Sequence, residues 1–268
     1  MLGIPTLAAV AGAVPLTLGL DTGAGVSLLV VDALESIRHT PVTGIDARMQ
    51  DVAGDAVSGS FALVDLQIGP IGIRDHLCVI VRRADLAAPV RAAFALAGID
   101  GVLGWNAHRH WRTELDNAAA RLTLASSRGG AGGGNLVWSG KPYVRARLPD
   151  GGSANMFLDT GSASSRVTER LRRKIDLGDG AVSSETALGA GGTRSVTVTT
   201  YLRLTVHLGS TQLDLAPIRS REARGPAKAM RDGTFGNDLL RRGLVVIDPP
   251  AGLFELKRPY REAIATSP

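Results

Sequence analysis

Apolar residues recur in short runs, and almost every run is closed by glycine, proline or aspartate. The stretches FALVDLQIG (61–69), HLCVIV (76–81), SVTVTTYLRLTVHLG (195–209) and LVVID (244–248) show alternation of period two or brief unbroken apolarity, the marks of half-buried and fully buried strands. Helical spacing is confined to brief segments: VVDALESIR (30–38), NAHRHW (106–111), TERLRRKI (168–175) and NDLLRR (237–242). The pattern predicts an all-β protein with small helices.

The chain also repeats itself. LGLDTGAGVSLLV (18–30) matches MFLDTGSASSRVT (156–168), with an aspartate closing the apolar run each time, and 159 less 21 gives an offset of 138. DGVLGWNAHRHWRTELDNAAARLTL (100–124) aligns without a gap on DGTFGNDLLRRGLVVIDPPAGLFEL (232–256) at an offset of 132. Two ordered motifs at nearly one offset predict two related lobes, 1–128 and 135–268, joined by the Gly-rich linker 129–134. That linker follows a strand and holds spaced glycines, yet LVWSGKPYVRARL after it continues as strand, so a phosphate-binding loop is not expected. The residues before Asp21, the first charged position, superficially resemble a signal peptide. They lack a basic start, and the second half has its own strand, turn and strand before its Asp-Thr-Gly, so they are expected to be part of the fold. They are also too interrupted by Gly and Pro for a membrane span.

Composition adds limits. With 44% apolar residues, 33 Gly and 13 Pro, the chain suits a globular fold of short strands and tight turns. The net charge of +5 comes from scattered cations, chiefly arginines, with one cluster, RVTERLRRK (166–174), expected on a solvated helix face. No aromatic residue interleaves with those charges to stack on bases, so no nucleic-acid partner is expected. Cys78 is the only cysteine, which excludes an internal disulfide and a cysteine metal site, and its apolar surroundings predict a buried strand thiol. The HRH of 108–110 falls in a predicted short helix where alternate residues diverge, so neither a metal nor another cofactor is expected. His76 and His207 read as isolated strand residues, and no Ser-His-Asp assignment would explain the duplication.

Asp21 and Asp159 then stand out, because a carboxylate at the end of a buried strand is costly unless something compensates for it. One Asp-Thr-Gly is a common turn sequence; two, each followed about 75 to 80 residues later by D-G-x-[LF]-G, are a specific pattern. On the motifs LDTGAG, DGVLG, LDTGSAS and DGTFG the chain resembles the pepsin and retropepsin clan of aspartic proteases, in a single-chain bilobal form. The resemblance implies two related β-barrel lobes with a cleft between them, and an endopeptidase in which Asp21 and Asp159 activate a water. Two close carboxylates push their proton affinities apart and keep one proton between them, which supplies a base and an acid together. Gly23 and Gly161 leave room for tight loops whose N–H groups face the carboxylates.

From the same resemblance, Thr22 and Thr160 cross-link the lobes and Ser162 orients Asp159. It also places flap hairpins at MQDVAGDAVSG (49–59) and LGAGGTRS (188–195), the first without the tyrosine of pepsin-like flaps; tyrosines occur only at 143, 201 and 260. The expected partner is an extended peptide or protein substrate held by backbone hydrogen bonds. No dimerisation is needed, since one chain carries both aspartates. A binding protein of the same fold, or use of the aspartate pair on a non-peptide substrate, is the alternative. Asp100, Asp116, Asp232 and Asp248 are expected to serve turns.

Overall fold

A computed structural model of the chain describes residues 3–257 apart from 33, 51–55, 128, 130–133, 139, 190–191 and 222–229. Strands account for 54% and helices for 13%, which makes the protein all-β in class. In the first half, β1 (Thr6–Ala11) and β2 (Val14–Leu20) form a hairpin that takes up the apolar N-terminal segment. After the first Asp-Thr-Gly come β3 (Ser27–Val31) and the meander of β4 (Thr40–Gln50), β5 (Ala56–Ile68) and β6 (Ile71–Arg82). Helix α1 (Ala88–Ala97) leads to β7 (Gly101–Leu103), which slots between β2 and β3. The order is β1-β2-β7-β3-β6-β5-β4, and because β1 also pairs with β5, six of these strands close into a barrel. Helix α2 (Trp105–His108) then leads into the hairpin of β8 (Arg112–Asp116) and β9 (Arg121–Ala125).

The second half is built from β10 (Leu136–Trp138), β11 (Pro142–Arg147), β12 (Ser153–Leu158), β13 (Arg166–Val167) and α3 (Glu169–Arg172). Next come β14 (Ala181–Gly189), β15 (Gly192–Tyr201), β16 (Leu204–Leu208), β17 (Thr211–Leu215), β18 (Ile218–Ser220) and β19 (Gly233–Phe235). The main path, β11-β12-β19-β13-β18-β15-β14, repeats the first half strand for strand. The registers repeat as well. Leu18 pairs with Gly101 as Met156 pairs with Gly233, and Leu28 pairs with Val102 as Arg166 pairs with Thr234, each at the offsets of 138 and 132 read from the sequence. Since a slip of one residue would turn every side chain to the wrong face, matching registers mean matching inward positions.

A third sheet takes strands from both halves. β20 (Leu244–Asp248) pairs with β21 (Leu253–Lys257) on one side and with β8 on the other, giving β21-β20-β8-β9. The main apolar core likewise runs through both halves, with Leu18, Leu20 and Leu103 in the same cluster as Met156, Leu158 and Phe235. A smaller core lies wholly in the first half, where Val90 and Phe94 of α1 cover Leu28, Val81 and Ile99.

Several elements differ from the sequence pattern. Helix α1 was not expected; Pro89 in its first turn and Gly98 at its end, with φ of 62°, are its start and stop signals. Residues 30–38 yield only a 3₁₀ turn at Leu34–Ser36, NDLLRR is 3₁₀ (Asn237–Arg241), and 195–209 is broken into β15 and β16. The cluster 166–174 is not simply a solvated face: Arg170 and Lys174 each reach the wholly buried Asp232 at 2.9 Å. A buried carboxylate needs such partners, which explains cations on that side of α3. The arms of the two hairpins expected to be flaps pair as far as Gln50↔Ala56 and Gly189↔Gly192, while their tips, 51–55 and 190–191, lie outside the described residues. So do Tyr260 and most of the Gly-rich linker.

Candidate active site

Asp21 and Asp159 occupy equivalent places just past β2 and β12. Each is fixed from behind by the neighbouring strand, Asp21 N–H donating to Leu103 O at 3.0 Å and Asp159 N–H to Phe235 O at 2.9 Å. The loops then fold back on their own carboxylates. Gly23 and Ala24 donate their N–H groups to Asp21 Oδ1 at 2.9 and 3.1 Å, and Ser162 donates its N–H to Asp159 Oδ1 at 3.1 Å.

The two loops interlock through their threonines. Thr22 N–H donates to Thr160 Oγ1 at 3.0 Å, and Thr160 N–H donates to Thr22 Oγ1 at 3.1 Å. Each hydroxyl in turn donates to a carbonyl of the opposite half, Thr22 to Leu158 O at 2.9 Å and Thr160 to Leu20 O at 2.6 Å. With exposures of 1% and 2%, neither threonine has water to compete for these bonds. The glycines cross over too: a Cβ on Gly23 would stand 2.6 Å from Asp159 Cγ, and one on Gly161 would stand 2.6 Å from Asp21 Cγ. Each carboxylate therefore lies against the opposite loop, so the pair is brought together from residues 138 positions apart.

The electrostatics of the pair are uneven. Burial, then the charge of Asp159, raise the Asp21 carboxyl to about 7, against the opposing pull of the Ala24 and Gly23 N–H groups and of Lys141. Lys141 Nζ reaches Gly23 O at 3.4 Å, on the edge of the same loop. On the other side, Arg166 and Arg231 interact with Asp159. Ser162 meets Asp159 through its N–H, while its hydroxyl donates to Ser164 O at 3.3 Å and accepts from Arg166 Nη1 at 2.6 Å.

Behind each loop stands a support that the motif comparison passed over. Ser27 directs its N–H and hydroxyl to Asn106 Oδ1 at 2.9 and 3.1 Å, and its Oγ accepts from Gly104 N–H at 2.9 Å. Ser165 directs the same two groups to Asp238 Oδ1 at 2.8 Å each, and accepts from Gly236 N–H at 3.0 Å. The repeat offsets place Ser27 on Ser165 and Asn106 on Asp238, so the signal was present in the aligned sequences. The glycines are required here, since a Cβ on Gly104 or Gly236 would stand 2.7 Å from Val26 C or 2.5 Å from Ser164 C. His76 is not isolated either: its Nε2 is 2.8 Å from Ser27 Oγ, and burial holds the imidazole down to about 4, so it is neutral at pH 7. Ser27 is fully buried, which leaves this pair no route to a substrate.

The other aspartates serve the backbone. Asp100 and Asp232 accept the N–H groups of Thr17 and Asn155 at 2.9 Å, and Asp116 and Asp248 cap turns at Ala119 and Ala251. Cys78 is buried on β6, where burial pushes its thiol up to about 12. Among the described residues no group of His, Cys, Asp and Glu is placed to hold a metal ion, and no helix is long and apolar enough to cross a membrane.

No protein-family model matches the chain, and no curated protein matches it.

Proposed function

We propose that the protein is an aspartic endopeptidase with a pepsin-like bilobal fold, its halves meeting at the Asp21 and Asp159 loops. The observation that carries this reading is the reciprocal packing of Asp21 on Gly161 and of Asp159 on Gly23, locked beneath by the crossed bonds of Thr22 and Thr160. Such an arrangement holds two carboxylates together in a partly buried site, which favours a single shared proton.

With its carboxyl raised to about 7, Asp21 is the member that keeps the proton. Asp159 takes a proton from a water as that water attacks the peptide carbonyl, and Asp21 donates its proton to the developing oxyanion. Collapse of the tetrahedral intermediate breaks the C–N bond, the amine leaving with a proton returned through Asp159. No covalent enzyme intermediate arises. The flap arms β4–β5 and β14–β15 offer strand edges to an extended peptide.

The test is cleavage of a diverse peptide library between pH 3 and 8 by the native chain, by Asp21→Asn and Asp159→Asn, and with a statine-type transition-state inhibitor. Cleavage that is lost in either variant and blocked by the inhibitor supports the reading. A folded native chain that cuts nothing, or variants that cut as well as it does, would overturn it.

A further inference from the structure

The second-half side of the candidate site carries an unusual grouping of cations. Arg166 opens β13 beside the Asp159 loop, tied to Ser162 Oγ. Arg231 lies just before β19, its guanidinium carbon 4.4 Å from the centre of the Phe157 ring and its Nη2 on Thr234 Oγ1. Arg221 follows β18, with its N–H on Val167 O at 3.0 Å. Arg194 on β15 has a buried Nε with no hydrogen-bond partner among the described residues. All four are partly buried, and they repel one another: Arg166 opposes Arg221 and Arg231, and Arg221 opposes Arg194 and Arg231.

Among the described residues, the carboxylates that answer this charge do so from a distance. No ion pair joins any of the four to a carboxylate among the described residues. Glu185, paired with Arg219 at 3.2 Å, also acts on Arg221, and Asp238, bonded to Ser165, also acts on Arg166, while Asp159 faces both Arg166 and Arg231. Gathering like charges under partial burial costs stability, so a reason outside folding is called for.

The duplication sharpens the point. By strand register and offset, Arg166, Arg221 and Arg231 stand where the first half has Leu28, Val81 and Ile99. Those three are buried in the apolar cluster beneath α1. One half thus fills these positions with apolar side chains under a helix, and the other fills them with guanidinium groups beside the reacting carboxylates.

We propose that Arg166, Arg194, Arg221 and Arg231 form a subsite for a carboxylate of the substrate, either an aspartate or glutamate side chain next to the cut bond or the α-carboxylate of a chain end. The proposal rests on the proteolytic reading for the placing of a peptide across the two aspartates. Guanidinium forks match a carboxylate in two parallel hydrogen bonds, and stacking on Phe157 fixes the plane in which Arg231 presents its fork.

The experiment uses matched peptides with Glu or Gln beside the cleavable bond, each with a free or an amidated C-terminus. Cleavage is followed with the native chain and with Arg166→Gln, Arg231→Gln and Arg231→Lys. Binding of fluorescent versions is followed with Asp21→Asn, which is expected not to turn them over. The native chain should prefer the carboxylate peptide by about 10- to 100-fold in kcat/KM, the range for a hydrogen-bonded charge. Both Gln variants should bring that ratio toward 1, Arg231→Lys should keep part of it, and added salt should weaken it. A preference that follows the Glu side chain assigns the site to an acidic residue, and one that follows the free C-terminus assigns it to a chain end. Ratios near 1 for both comparisons, or a preference untouched in both Gln variants, would overturn the proposal. Should the native chain cut nothing, the protease reading falls, and the binding arm still decides: about tenfold tighter binding of the carboxylate peptide upholds the subsite, and equal binding removes it.

Discussion

Asp238 stands 132 positions after Asn106, and the two take the same pair of hydrogen bonds from Ser165 and Ser27 through a single side-chain oxygen. The first half shows that an amide is sufficient for this support. Asp238→Asn should therefore keep the fold within about 1 kcal/mol of the native stability, whereas Asp238→Ala, which orphans two donors, should cost about 3 kcal/mol. Burial raises the Asp238 carboxyl, so its ionisation opposes folding increasingly as pH rises. Urea unfolding at pH 3 and pH 8, which bracket the raised ionisation, should show the Asn variant gaining on the native chain at the higher pH.

Gly161→Ala and Gly23→Ala test the crossed packing. The added Cβ would meet the opposite carboxylate, which must swing away to make room. Displacement of a reacting group by about 1 Å costs on the order of 100-fold in rate. Both variants should unfold near the native temperature and lose at least that much kcat.

For Thr22→Val the loss is of a different kind. The hydroxyl accepts from Thr160 N–H and donates to Leu158 O, so its removal leaves two buried backbone groups unpaired across the halves. A penalty of about 3 kcal/mol follows. Thr160→Val should cost about as much, through Thr22 N–H and Leu20 O. Ser at either position should restore most of the stability, which separates the hydroxyl from the methyl group in a thermal unfolding series.

Asp21 makes the pH dependence predictable in sign. Its carboxyl rises from an ordinary value of 3.8 to about 7 in the folded chain, so well below pH 4 it is protonated whether folded or not. Between pH 4 and 7 the unfolded chain ionises it and the folded chain resists, so this group's contribution to stability is lost as pH rises through that window. Asp21→Asn, which keeps the acceptor for Gly23 and Ala24, should be more stable than the native chain at pH 8 and lose that advantage by pH 4.

In the proposed mechanism the same proton governs the rate. If Asp21 carries it as proposed, activity should fall as pH climbs through about 7. Lys141 lowers the Asp21 value, so Lys141→Ala should move that alkaline limb to higher pH, read from kcat/KM against pH with one peptide.

Much of the site was legible because duplication writes the same signal twice. The offsets 138 and 132 anticipated not only Asp21 with Asp159 but the strand registers around them, since a repeated fold repeats its inward positions. Helix α1 escaped notice because it has no counterpart among the described residues of the second half, and because its apolar pair Val90 and Phe94 is short beside the strands. Comparing halves by identity also hid Ser27–Asn106 and Ser165–Asp238, where an amide replaces an acid of the same shape. The arginine grouping was harder still. Arg166 and Arg231 are 65 positions apart, and strand alternation says which face a residue takes but not what it meets there.

The sheet shared by β8, β9, β20 and β21 has a bearing on synthesis. Leu115 pairs with Val245, 130 positions later, so a nascent chain that has released its first half still presents one edge of β8 unpaired. The halves cannot mature one after the other like beads on a thread, because the first acquires its last neighbour only when the second is nearly complete. A fragment cut off at the Gly-rich linker would keep that open edge permanently and be prone to sticking to other copies of itself. The β8 edge thus finds its partner only after residues 244–248 have emerged.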